Sequence, residues 1–213
     1  MQKDIIKIYP QEPSPIKLIL TLAIAGLISG IAIIAIYEAT LPTITAYKAK
    51  MLREAVFKVL PKVTQIQKLQ YIDGKLQPID SENNNEIIYA GFDTEKNLIG
   101  YAIKGEGPGF QDTIQILYGY IPTKHLIVGM EVLDSRETPG LGDKIYKDAD
   151  FQTNFKALTI EPTVVIVKKG MKSAANEVDA ITGATISSKA IVRIINQSNE
   201  KWLKRIESLK DVH

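Results

Sequence analysis

Residues 18–37, LILTLAIAGLISGIAIIAIY, hold no charged side chain. A helix of about 20 apolar or small residues, rising about 1.5 Å per residue, has the length of a bilayer's hydrocarbon core. In a domain built from the rest of a 213-residue chain, a helix apolar on every side has few places to hide. Lys17 and Glu38 bracket the run, and Tyr37 stands where an interfacial aromatic belongs. Ala25-Gly26 and Ser29-Gly30 are small enough to let a neighbouring helix approach. A cleaved signal peptide would have a shorter apolar core and a small-residue cleavage site, and neither is evident. The stretch therefore predicts a retained membrane anchor. It contains no ionisable residue, so it offers no ion path of its own.

Lys3, Lys7 and Lys17 precede the span and Lys48, Lys50 and Arg53 follow it. That balance barely orients it; Lys17 and Glu38 tilt the reading to a cytoplasmic N-terminus and an outer domain. The division expected is a short cytoplasmic tail at 1–17, the span at 18–37, a connecting helix at 38–62 and an extracytoplasmic domain at 63–213. The connecting helix rests on Ile44, Tyr47, Met51, Ala55 and Val59 at helical spacing, with Pro42 opening it and Pro61 closing it.

Composition removes several chemistries. There is no cysteine, which excludes thiol catalysis, thiolate iron–sulfur ligation and disulfides. His125 and His213 are the only imidazoles, too few for a His-rich metal site. A net charge of +2 gives no nucleic-acid signature.

Alternating runs at 87–92 and 98–103, across the polar turn DTEKN, predict a hairpin. A second is predicted from 113–121 and 126–133, across Pro122-Thr123-Lys124. TVVIV at 163–167 reads as a buried strand, 151–158 as a short helix, and 187–209 as a helix with Ile191, Ile194, Ile195, Trp202 and Ile206 inward. Hairpins followed by helices predict an α+β fold with a mainly antiparallel sheet.

Two loops exceed ordinary turn chemistry. SRETPGLGDKI (135–145) follows a strand, and its glycines permit close backbone approach. DAITGATISSKAI (179–191) crowds hydroxyls and small residues at the mouth of a helix. First-turn amides are unpaired and the helix dipole favours an anion there, so phosphate is a natural guest. A single N-cap would explain one hydroxyl and not Thr182, Thr185, Ser187 and Ser188 together. Neither a Walker loop nor GxGxxG is present. GEGPGF (105–110) fails both spacings and receives no ligand role.

DAITGATISS resembles the flavinylation motif of the FMN-binding domain family, and ETPGLGDKI resembles that family's other signature. Position 180 is Ala where many relatives have Gly, and 182 is Thr rather than Ser; neither change removes a needed group. With one N-terminal span, the combination resembles the flavin subunits of Rnf-type ion-translocating complexes, which link ferredoxin and NAD. Those of Na⁺-translocating NADH:quinone reductases are the related alternative. The resemblance implies FMN joined through its phosphate to the Thr185 hydroxyl by a separate flavin transferase that reads the motif from Asp179. It further implies that Thr182, Gly183, Ala184, Ser187 and Ser188 lie about the phosphate. Glu137, Thr138, Gly140, Leu141 and Gly142 would lie about the ring, Glu137 as a contact rather than a catalyst. Partners would be the other subunits of the complex, and the role an electron relay. A membrane-anchored flavin sensor, a self-contained flavin reductase and a purely structural anchor subunit are the competing classes.

Overall fold

The computed structural model describes residues 14–79 and 86–207. The expected tail up to residue 13, the last positions of the final helix and His213 lie outside them. The chain divides into two units, Met1–Ala49 and Lys50–His213.

The first helix, α1, runs Pro15–Val59 without a break. This corrects the expectation of two helices, because Pro42 lies inside it. Pro42 lacks an N–H and so removes one intrahelical bond. The threonines around it bond back onto the helix: Thr40 Oγ1 donates to the Ile36 carbonyl at 2.9 Å and Thr45 Oγ1 to the Leu41 carbonyl at 2.8 Å. Among the described residues α1 is the one helix long and apolar enough to cross a membrane, and none of its apolar window is buried by protein. Exposed Leu18, Ile19, Leu20, Ile24, Leu27 and Ile31 would be untenable in water, so a membrane location follows.

In the second unit, seven strands form an antiparallel sheet. They are β1 (Gln65–Ile72), β2 (Lys75–Pro78), β3 (Ile87–Phe92), β4 (Leu98–Pro108), β5 (Thr113–Ile121), β6 (Leu126–Asp134) and β7 (Leu158–Thr159), ordered β2-β1-β3-β4-β5-β6-β7. Both expected hairpins are present. The β1–β2 hairpin was not anticipated. Its Asp73-Gly74 turn, with φ of +48° and +82°, is a signal the sequence carried.

The sheet is covered on both faces, which is why Tyr101, Ala102 and Ile103 are all buried in succession. On one face lies the last helix, α4 (Thr185–Glu207), whose Ile191, Ile194, Ile195, Trp202 and Ile206 are all inward. It starts two residues before the expected position. On the other face sits the end of α1, with Ala55, Val56, Val59 and Leu60 buried. Backbone meets backbone there: a Cβ on Gly119 would fall 2.0 Å from the Val59 carbonyl oxygen.

Two further expectations are corrected. The helix placed at 151–158 is instead α2 (Lys144–Lys147) and α3 (Ala149–Thr153), separated because Asp148 caps α3 by accepting the Phe151 amide at 3.1 Å. The TVVIV segment is not a buried strand of the main sheet. Only β8 (Val165–Val167) is extended, with Val165 exposed, and it pairs in parallel with β9 (Glu177–Asp179). Asn196 on α4 holds the segment instead, bonding both the amide and the carbonyl of Val164 at 3.2 and 2.9 Å.

Candidate functional site

The loop 180–184 carries the chain from β9 into α4. Gly183 sits at φ +82°, and open space surrounds the position a Cβ would take. Glycine is required there by conformation, not by crowding. Gly183→Ala is therefore expected to cost about 1 kcal/mol, lowering the melting temperature by about 2–4 °C in a scanning-calorimetry comparison.

The structure divides the four hydroxyls into two kinds. Ser188 is fully buried; its Oγ donates to the Ala184 carbonyl at 2.9 Å and accepts the Ile181 amide at 3.1 Å. Ser187 is buried and its hydroxyl donates to the Glu137 carboxylate. Thr182 and Thr185 are exposed. Among the described residues no acceptor faces the first-turn amides of Thr185, Ile186 and Ser187. An exposed hydroxyl at the first residue of a 23-residue helix thus stands beside free N–H groups and the positive end of its dipole. Such a place fits a phosphate.

The loop after β6 meets that helix mouth through one carboxylate. Glu137 Oε1 accepts the amides of Phe110 and Gln111 at 2.8 and 2.9 Å, and Oε2 accepts from Ser187. Both oxygens are therefore taken by protein donors, and Glu137 braces the site from beneath. Two glycines allow this. A Cβ on Gly142 would lie 2.4 Å from Oε2, and one on Gly109 2.4 Å from Oε1. Burial raises the Glu137 pKa, but the Ser187 hydroxyl and the amides of Gln111 and Phe110 outweigh it and hold it below the usual carboxylate range. The brace is anionic at neutral pH.

Around it, Thr138 Oγ1 donates to Gln111 Oε1 at 2.9 Å, and Gly140 takes φ +77° in the turn that returns the Leu141 amide to the Thr138 carbonyl at 3.1 Å. Asp143 closes the loop with Lys147 at 2.6 Å; that hydrogen bond holds its carboxyl below its ordinary pKa. Ala184 is buried, while Gly140 and Leu141 are at the surface. Leu141, Phe110 and Ile186 are exposed at 51%, 65% and 56%, each next to a residue tied to Glu137. Gln111 and Ile186 were not singled out in the sequence, and Phe110 figured there only within GEGPGF. Gly109 was the available signal, since it is the last glycine of the GEGPGF run left without a role. Asp179 points elsewhere, its carboxylate bonding the amides of Met171 and Lys172. No cluster of metal-binding side chains occurs among the described residues.

The model of the FMN-binding domain family matches residues 109–200, which hold both this glycine loop and the helix mouth. The curated relatives include a subunit of the ion-translocating oxidoreductase complex of Methanosarcina acetivorans, 28% identical over 85% of this chain and 91% of the relative. They also include the corresponding subunit of the Na⁺-translocating ferredoxin:NAD⁺ oxidoreductase complex of Acetobacterium woodii, 32% identical over 66% of this chain and 69% of the relative. The chain belongs to the family that these two subunits represent. Its fold is that of Shewanella oneidensis NqrC, with a TM-score of 0.64 at 18% identity, covering 76% of this chain and 99% of that one.

Proposed function

We propose that this chain is the flavin-bearing electron-relay subunit of a membrane-bound, ion-translocating ferredoxin:NAD oxidoreductase complex of the Rnf type. It carries FMN covalently on Thr185 through a phosphoester and passes electrons between partner subunits. The observation that carries this reading is the partition of hydroxyls: Ser187 and Ser188 are committed inside the protein, and Thr185 is exposed on the first residue of α4 beside unpaired amides.

FMN, when bound, supplies the redox chemistry. The protein's part is to hold and shield. The first-turn amides of α4 stabilise the phosphate charge. Thr182, Gly183 and Ala184 line its approach. Phe110, Leu141 and Ile186 offer apolar surface to the ring, with Thr138, Gly140 and Gly142 shaping the loop that carries Leu141. In attachment, the Thr185 Oγ–phosphorus bond forms and the phosphoanhydride of a flavin dinucleotide donor breaks. The nucleoside monophosphate leaves, and the hydroxyl proton passes to a base of the flavin transferase. The tail 1–17 lies in the cytoplasm, 18–37 spans the prokaryotic inner membrane, 38–62 connects, and the domain 63–213 lies outside.

Gentle detergent extraction tests the relay reading: multi-spanning subunits should accompany the chain, and electrons from reduced ferredoxin should reach its flavin. A lone monomer would favour a membrane-anchored FMN-binding sensor or accessory module. Reduction by NADH with quinone as acceptor, and none by ferredoxin, would favour the corresponding subunit of a Na⁺-translocating NADH:quinone reductase. Sidedness has its own test, made clean by the absence of cysteine. Lys156 is exposed in the second unit. A Lys156→Cys chain should react fully with a membrane-impermeant maleimide applied outside spheroplasts. Labelling only after lysis would place the domain in the cytoplasm.

A further inference from the structure

The family pattern opens the second signature with Asp179 and implies that the transferase reads it. In the fold, the Asp179 carboxylate is already engaged. Its Oδ1 accepts the amides of Met171 and Lys172 at 3.2 and 3.1 Å. Those amides belong to a turn closed by the Met171 amide on the Lys168 carbonyl at 2.9 Å, with Gly170 at φ +79°. The Asp179 amide donates to Asn154 Oδ1 at 3.2 Å, and that oxygen also receives the Lys172 ammonium at 3.4 Å. Asn154 is buried and anchored to α3, its Nδ2 donating to the carbonyls of Asp150 and Phe151 at 3.3 and 3.0 Å. Beyond Asp179 the bonding continues: the Ala180 amide donates to the Val167 carbonyl at 2.8 Å and the Ile181 amide to Ser188 Oγ at 3.1 Å. A continuous hydrogen-bonded path leads from α3 through Asp179 to the first turns of α4.

We propose that Asp179 is a positioning residue for flavin attachment: it works inside the fold, its carboxylate holding the 168–172 turn against β9 beside the tie that its backbone amide makes to Asn154 and α3, and so sets the loop that presents Thr185. The folded domain is then the transferase's substrate, and the fold selects the hydroxyl. The proposal rests on the covalent reading above. Its physical content is that two amide donors need an acceptor and not a charge. An asparagine oxygen serves them as a carboxylate oxygen does, whereas alanine leaves the Lys172 amide without this acceptor and the Met171 amide with the Lys168 carbonyl alone, and unties the turn from β9. Loop 180–184 is short and already carries a left-handed glycine, so its path depends on where its ends are fixed. The competing idea is direct reading. Asp179 also lines an open cleft of about 370 Å³ with Asn154, Lys169 and Lys172, where a transferase could probe its charge.

The test co-expresses the full-length chain with its host's flavin transferase. It scores in-gel flavin fluorescence per folded protein, with melting temperature measured alongside. Asp179→Asn is expected to incorporate flavin within about twofold of the parent chain, as retained acceptor geometry allows. Asp179→Ala should remain cooperatively folded yet lose at least tenfold in incorporation rate. Asn154→Ala, outside the signature, should lower incorporation in the same direction. Loss of incorporation in Asp179→Asn at an unchanged melting temperature, with Asn154→Ala at the parent level, would overturn the proposal in favour of direct charge recognition. Parent-level incorporation in Asp179→Ala would overturn it too. Should Asp179→Asn itself unfold, Asn154→Ala decides: a fall supports positioning and parent-level incorporation refutes it. A parent chain without covalent flavin would instead sink the Thr185 reading, a result separate from all of these.

Discussion

Thr185→Ala is expected to abolish flavin fluorescence on the denatured protein band completely, while the chain still folds and inserts in the membrane. The reason is positional. Thr185 is exposed and its hydroxyl makes no hydrogen bond among the described residues, so its removal costs the fold little. The neighbouring hydroxyls cannot substitute for it. Ser188 is fully buried and Ser187 donates to Glu137, and reaching either would mean unwinding the first turn of α4. Thr182 is exposed, but it precedes the left-handed Gly183 and lies off the helix whose free amides would hold the phosphate. Mass spectrometry should accordingly find the FMN increment on the peptide containing Thr185 and on no other. Fluorescence that survives Thr185→Ala would end the assignment. A Thr185→Ser chain keeps the hydroxyl and should keep some incorporation, which separates chemistry from shape.

Glu137→Ala should strongly destabilise the domain. It leaves the Phe110 and Gln111 amides and the Ser187 hydroxyl without their partner, and opens a void between Gly109 and Gly142. The Ser187 hydroxyl is buried and the two amides are partly so; an unpaired buried donor costs about 1–3 kcal/mol, and with the void a loss of about 3 kcal/mol is expected. That corresponds to a fall of about 6–12 °C in melting temperature. Glu137→Gln should be milder, because its side-chain oxygen can still accept the two amides and its nitrogen can donate to Ser187 Oγ.

The pH dependence follows from the depressed pKa of Glu137. Its contribution is fully present above the unfolded carboxylate pKa of about 4.3 and is lost as pH falls through the lower folded value. In that window the unfolded chain binds the extra proton, so stability rises with pH. Melting temperatures measured from pH 5 downward should therefore drop more steeply for the parent chain than for Glu137→Gln. Parallel curves would show that Glu137 is not the anionic brace described.

Much of this architecture was legible in the sequence because it rests on local properties. Transfer of apolar side chains out of water adds residue by residue, so 18–37 announced a membrane helix without reference to anything else. The alternation of 113–121 and the 3.6-residue spacing of Ile191, Ile194 and Ile195 likewise express one face meeting a core, and both elements formed. The crowding of hydroxyls at a helix start pointed to an anion for reasons contained in the helix itself.

Long-range contacts decided the rest. TVVIV has the composition of a central strand, but the sheet is completed by Leu158–Thr159 and Asn196 holds the segment outside it. Above all, DAITGATISS presents hydroxyls that are chemically alike. Only the approach of Glu137, fifty residues earlier in the chain, and the inward turn of Ser188 take two of them out of reach. Hydropathy and helix propensity belong to a residue and its near neighbours. Burial and the satisfaction of a hydrogen bond belong to whatever the rest of the chain brings alongside, and that is what left Thr185 free.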